Sequence, residues 1–126
     1  MGDAAVGLVS GTVYTASIDM PENKEFVQKF QQKYNRRPGQ VDYLRYLGGL
    51  VARAAIAAVK GNVEGTQAFL RAIESARVEA PARSFASYPE SRGPGHRVDV
   101  CPVTKASDGG FDDELHQTIS NVVTFM

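Results

Sequence analysis

The stretch DMPENKEFVQKFQQKYNRRP, residues Asp19–Pro38, carries the signals of one complete helix. Asp19 is placed to cap it, with Glu22 three residues later able to reciprocate, and Pro21 falls in a first turn whose N–H groups have no intrahelical acceptor. Phe26, Phe30 and Tyr34 then recur every four residues beside Val27, while Lys24, Lys29, Gln31, Gln32 and Lys33 cover the other side. Arg36 and Arg37 place cations at the C-terminal carbonyls, and Pro38 forbids continuation. A helix over 20–35 with one aromatic stripe needs an apolar surface to lie on, and the neighbouring sequence offers little of it.

Working outward, Ala4–Val9 is a short apolar run that reads as a first strand near residues 5–10, and Ser10–Ser17 is a polar loop centred on Tyr14. After Pro38 a second helix spans 42–60, with Gly48, Gly49 and an alanine-rich surface that leaves little polar face. Such a helix is expected to pack on more than one side, with Tyr46 at the start of its buried stripe. Gly61 can end it, and a third helix over 64–76 places Phe69, Leu70, Ile73 and Ala76 on one face. Beyond Val78 the periodicity decays. Prolines accumulate, alternation survives only around Val98, Val100 and Val103, and a turn is expected at Asp108-Gly109-Gly110. A strand over 97–104 is predicted, with Pro102 restricted to an edge or strand end because it has no ladder N–H. The reading is one unit over 1–126: a strand and three helices over 7–76, then an irregular strand and loop tail over 77–126. The tail closes on Val122, Val123, Phe125 and Met126.

Composition excludes several classes. The chain has 126 residues and 14 basic against 14 acidic side chains, so no global field draws it to nucleic acid or to an anionic membrane. Nowhere do about 18 apolar residues run together, and no basic segment precedes an apolar core at the N-terminus, so neither a spanning segment nor a signal peptide is read. Cys101 is the single cysteine, which excludes an internal disulfide; it has no neighbouring base or cation to lower its pKa. His96 and His116 lie twenty residues apart without other ligands at metal-binding spacing, and Asp112, Asp113 and Glu114 lack the pattern of a calcium loop. No nucleophile elbow or phosphate loop is present. No enzyme, cofactor or metal site is expected.

Three features in fixed order carry a resemblance: a glycine-flanked strand with a Tyr-containing loop, then PENK-x-FV with the K-Y-x-R-x-P helix end, then the Tyr46 helix closing on KGNV. Together with KASDGGFDDEL in the tail, they resemble the C-terminal third of the type I periplasmic solute-binding proteins, in particular the branched-chain amino acid and amide-binding group of ABC importers. The stretch 81–103 departs from that pattern, through divergence or an altered reading frame. The resemblance implies an α/β fold, a partial Rossmann-like lobe with three main helices and few strands. The Asp19 helix would then lie on a parallel sheet whose strands come from elsewhere in the parent. It further implies a fragment of a substrate-binding component, partnered in the parent by a small solute and by the importer permease, in the periplasm. As given, without a signal peptide, the chain would be cytoplasmic, and the alternatives are a cytoplasmic ligand-sensing or interaction module built from the same lobe, or a nonfunctional remnant. Tyr14, Val41 and Tyr43 are the candidate ligand-binding residues: Tyr14 in the first loop, Val41 where the family often has an aromatic contact, and Tyr43 beside it. Exposed apolar faces make self-association of the fragment an expected property.

Overall fold

The computed structural model describes residues 2–86, 96–106 and 109–122. The helix signalled by the opening stretch forms as α1, Pro21–Tyr34. Its start differs from the sequence reading. Met20 is the N-cap residue and no side chain caps it, because Asp19 is turned outward into an exposed ion pair with Lys24 at 2.5 Å. The first turn is anchored instead by Asn23, which is completely buried. At the other end Asn35 takes a left-handed conformation, φ 52°, and donates its N–H to the Gln31 carbonyl at 2.8 Å.

The second helix, α2, runs Gln40–Ala58, and the carboxylate of Asp42 accepts the Gly39 N–H at 2.9 Å, securing its first turn. Tyr43, Leu47 and Leu50, spaced by one helical turn, face the core, which leaves Tyr46 45% exposed. The expectation that Tyr46 is a core residue is therefore corrected. It lies at the margin of the stripe, its ring 4.9 Å from that of Phe26, while Tyr43 is the buried aromatic. Nor is α2 enclosed on several sides: Leu44 and Ile56 are exposed, and a Cβ at Gly48 or Gly49 would meet nothing. The shorter α3, Thr66–Glu74, follows a break at Gly61, whose φ of +81° favours glycine.

The first strand, β1, is Val9–Thr12, later in the chain than expected; Gly2–Ala5 forms a 3-10 turn, and Gly7 at φ +88° turns the chain into the strand. Beyond α3 the chain is more regular than its periodicity implies. β2 (Arg77–Ala80) and β3 (Arg83–Ala86) form a hairpin, while β4 (His96–Lys105) is paired antiparallel with β1, β5 (Phe111–Asp113) and β6 (Gln117–Val122). The turn expected at residues 108–110 is seen at Gly109, φ +82°, and Gly110; Asp108 and the tail residues 123–126 lie outside the described residues.

Pro102 sits inside β4, not at its end, and the partner strand accommodates it. The carbonyls of Val100 and Pro102 accept from His116 and Glu114, so the missing Pro102 N–H faces residues 114–116, the break that separates β5 from β6. The hairpin is tied to this sheet by Arg83, whose guanidinium lies 2.6 Å from the buried carboxylate of Asp99, while the Thr118 hydroxyl donates to the same carboxylate at 2.9 Å. The core itself lies between the 13–20 loop, α1, α2 and the β2–β3 turn, centred on Tyr14, Ile18, Tyr43, Ala80 and Ala82. The result is α/β, with three helices and antiparallel strands; the parallel sheet that α1 would cover is not among the described residues.

Candidate functional site: a polar cleft at the end of the first strand

At the C-terminal end of β1 the chain turns through a loop that hydrogen bonds fix at several points. The Thr12 hydroxyl accepts the Tyr14 N–H at 3.2 Å and lies 2.8 Å from the Tyr14 carbonyl and 2.7 Å from the side-chain oxygen of Gln40. This small hydroxyl competes with strand continuation and ends β1 where α2 begins. Thr15 and Ser17 both donate to the Asp113 carbonyl, at 2.7 and 2.6 Å, which joins the loop to β5. Arg37 forms an ion pair with Asp112 and so joins the turn between α1 and α2 to the same strand. Three segments thus wall one cleft of about 600 Å³, lined by Ser10, Thr12, Thr15, Arg37, Gln40 and Phe111 among others.

The electrostatics of the walls are nearly balanced. Arg36 grips Asp42 through two bonds, 2.7 and 2.8 Å, and stacks over Phe30 at 5.0 Å. The Arg36 guanidinium, reinforced by the Gly39 N–H, holds the Asp42 carboxyl down at about 2. With Arg37 facing Asp112, the cleft offers hydroxyl and amide groups and compensated charge, hydrogen-bonding partners for the polar end of a small molecule.

The three candidate ligand-binding residues read from the sequence occupy different environments. Tyr14 contributes to the cleft wall, yet its ring is only 2% exposed. It stacks on Tyr43 with centroids 4.4 Å apart and planes 6° from parallel, and its hydroxyl donates to Asn23 Oδ1 at 3.1 Å. Burial pushes the Tyr14 phenol well above its usual range, and burial raises Tyr43 too. Tyr14 and Tyr43 are therefore brought together in the core, and a stacked pair of this kind contributes about 1 kcal/mol beyond its area. Val41 is set apart, exposed on the first turn of α2. Sequence reasoning missed Thr12, Gln40, Arg37, Thr15 and Ser17. Their link is tertiary; Asn23 alone carries a local signal, an amide in the first turn where the opposite face is charged.

A second groove, about 580 Å³, runs between α1, α2 and the β2–β3 turn and includes Phe26, Phe30, Tyr34, Tyr46 and Leu50. It is lined by the aromatic stripe of α1 together with charged side chains such as Glu25, Lys29, Arg53 and Glu79. Cys101, fully buried in β4, has its thiol pushed up by burial and by nearby Asp113 and Asp99, which disfavours the nucleophilic thiolate. No helix among the described residues is long and apolar enough to cross a membrane.

No protein-family model and no curated protein sequence matches the chain. Solved structures do. An ABC transporter substrate-binding protein from Sphaerobacter thermophilus matches 95% of the chain at 41% identity with a TM-score of 0.86. A solute binding protein of an ABC transporter from Rhodopseudomonas palustris BisB5, in complex with 3,4-dihydroxybenzoic acid, matches 98% at 27% identity and a TM-score of 0.88. The leucine-, isoleucine-, valine-, threonine- and alanine-binding protein from Brucella ovis shares the fold at 19% identity, with a TM-score of 0.79 over 95% of the chain. The chain spans 33% of the length of each of these structures. The first two are solute-binding components of ABC transporters. The chain is therefore similar, in sequence as well as in fold, to about one third of a type I periplasmic solute-binding protein of an ABC transporter.

Proposed function

We propose that the chain is part of the substrate-binding component of an ABC importer, and that its polar cleft supplies one wall of the solute site. The observation that carries this reading is the 41% identity, at a TM-score of 0.86 over 95% of the chain, with a substrate-binding protein of such a transporter. The solute is a small carboxylate-bearing molecule, an aromatic acid or a branched-chain amino acid. Two facts support that class: the dihydroxybenzoate bound by the 27% identical structure, and the hydroxyl and amide groups of Ser10, Thr12, Thr15 and Gln40 around the cleft. In this reading the three ligand-binding candidates act at two levels. Tyr14 and Tyr43 hold the wall from behind, and Val41 stands on the open side of α2, available to the rest of the protein. The complete protein works in the periplasm and delivers its solute to a permease.

The test joins this chain to the remaining two thirds of the Sphaerobacter thermophilus structure and titrates the chimera calorimetrically with benzoate, 4-hydroxybenzoate, leucine and valine. The same solutes are titrated into the unaltered Sphaerobacter protein and the isolated chain. Saturable binding by the chimera, with none by the isolated chain, is expected. A folded chimera that binds nothing from a set the unaltered protein does bind would contradict the proposal.

A further inference from the structure

The loop between the end of β1 and the start of α1 brings Tyr14, Thr15 and Ala16 to the cleft wall without regular structure of its own, and something must hold it. Asn23 is the residue on which the loop's buried bonds converge. Its carboxamide N–H groups donate to the carbonyls of Ala16, at 3.2 Å, and Ile18, at 2.9 Å, and its oxygen accepts the Tyr14 hydroxyl at 3.1 Å. The side chain has no exposure, and the bonds to Tyr14 and Ile18 are made out of water while that to Ala16 is partly buried, so losing one of the first two leaves a buried hydroxyl or carbonyl without that partner. We infer that Asn23 is a positioning residue: it fixes the 13–20 loop at the cleft and so sets the shape offered to the solute, an inference that rests on the binding role proposed above.

The geometry explains why an asparagine does this. A single planar amide presents two donors and an acceptor at fixed angles, matching two loop carbonyls on one side and a phenol on the other. Aspartate at this position keeps the acceptor for Tyr14 but opposes a carboxylate to two carbonyl oxygens, whereas alanine removes all three bonds. Thr15 and Ser17 hold the far side of the loop through the Asp113 carbonyl, so loss of Asn23 frees the helix side while the β5 side stays tied.

Hydrogen exchange on the full chain and on the chimera, comparing wild type with Asn23→Ala and Asn23→Asp, tests this. Exchange of the helix-side loop amides of Ile18 and Met20, both hydrogen-bonded within the loop, is expected to rise about tenfold in both variants, with amides 44–56 of α2 changing by less than about threefold. A uniform rise over the loop and both helices would show a merely structural role, and an unchanged loop would overturn the inference outright. If Asn23→Ala does not fold, Asn23→Asp and Tyr14→Phe, which removes one bond only, carry the same test through a smaller rise confined to the loop. In a chimera that binds, Asn23→Ala weakens affinity by about tenfold at a temperature where the variant is still fully folded. If the chimera binds none of the solutes, the binding role fails while the exchange pattern still decides whether Asn23 fixes the loop.

Discussion

Substitution at the Arg83–Asp99 pair tests how the hairpin and the main sheet are joined. The Asp99 carboxylate is completely buried and its partner guanidinium is 18% exposed, so Arg83→Met takes this cation away from an anion held in the interior beside the Thr118 hydroxyl. Breaking a buried pair from one side costs roughly 3–5 kcal/mol, and the partial exposure of the site lowers the expectation to about 3 kcal/mol. At about 4–8 °C per kcal/mol for a chain near this size, the thermal midpoint falls by roughly 15 °C. Asp99→Asn keeps the shape and an acceptor for Thr118, and takes the carboxylate from a guanidinium that the adjacent solvent can partly hydrate; about 2 kcal/mol is expected. The double variant Arg83→Met/Asp99→Asn removes both charges and should cost less than the sum of the two single changes by about 2 kcal/mol. Urea unfolding followed by circular dichroism and tyrosine fluorescence reads all four proteins, since the chain has five tyrosines and no tryptophan. Additive costs, or an Arg83→Met penalty below about 1 kcal/mol, would refute the claim that this ion pair joins the two sheets.

Other outcomes follow from individual groups. Because the Arg36 guanidinium depresses Asp42 to about 2 from 3.8, its contribution is present above pH 3.8 and is lost as pH falls toward 2. Solvent around the pair limits the Asp42 contribution to about 1 kcal/mol, and Arg36→Ala should flatten the acid limb of the stability profile by that amount in urea titrations at stepped pH. Cys101 should resist iodoacetamide in the native chain at neutral pH and react once urea exposes it; fast labelling of native protein would contradict its burial in β4.

The helices are legible in the sequence because their signals are local. The aromatic spacing of α1, the Arg-Arg-Pro stop and the small residues of α2 each act within a few residues of where they stand. Tyr46 is misread because periodicity fixes which residues share a face and not which edge of the face is covered; Tyr43, three residues earlier, carries the burial. The strands after α3 are faint for a different reason. β5 and β6 are interrupted opposite Pro102, so no single run alternates long enough to be read, and their pairing with β4 is a tertiary fact. The site is less legible still. Tyr14 and Tyr43 stand out as aromatics, yet their rings stack with each other, and the groups facing the cleft are small hydroxyls and an amide drawn together from β1, the α1–α2 turn and β5. Nothing in the spacing of Thr12, Arg37, Gln40 and Asp112 foretells that meeting.

If the chain is one third of a larger binding fold, the exposed side of α2 is covered in the complete protein. Leu44, Ile56 and Val41 face outward, together with Leu8 and Val9 ahead of and within β1. At about 25 cal/mol per Å², a few hundred Å² of uncovered apolar surface forfeits several kcal/mol, comparable to the stability of a small domain. Hydrogen exchange of amides 44–56, measured with light scattering and hydrophobic-dye binding, compares the isolated chain with the chimera. The isolated chain is expected to associate or bind dye and to exchange rapidly along α2, and in the chimera those amides slow by about a hundredfold as the face is covered. A compact, dye-negative isolated monomer whose α2 is already as protected as in the chimera would contradict it.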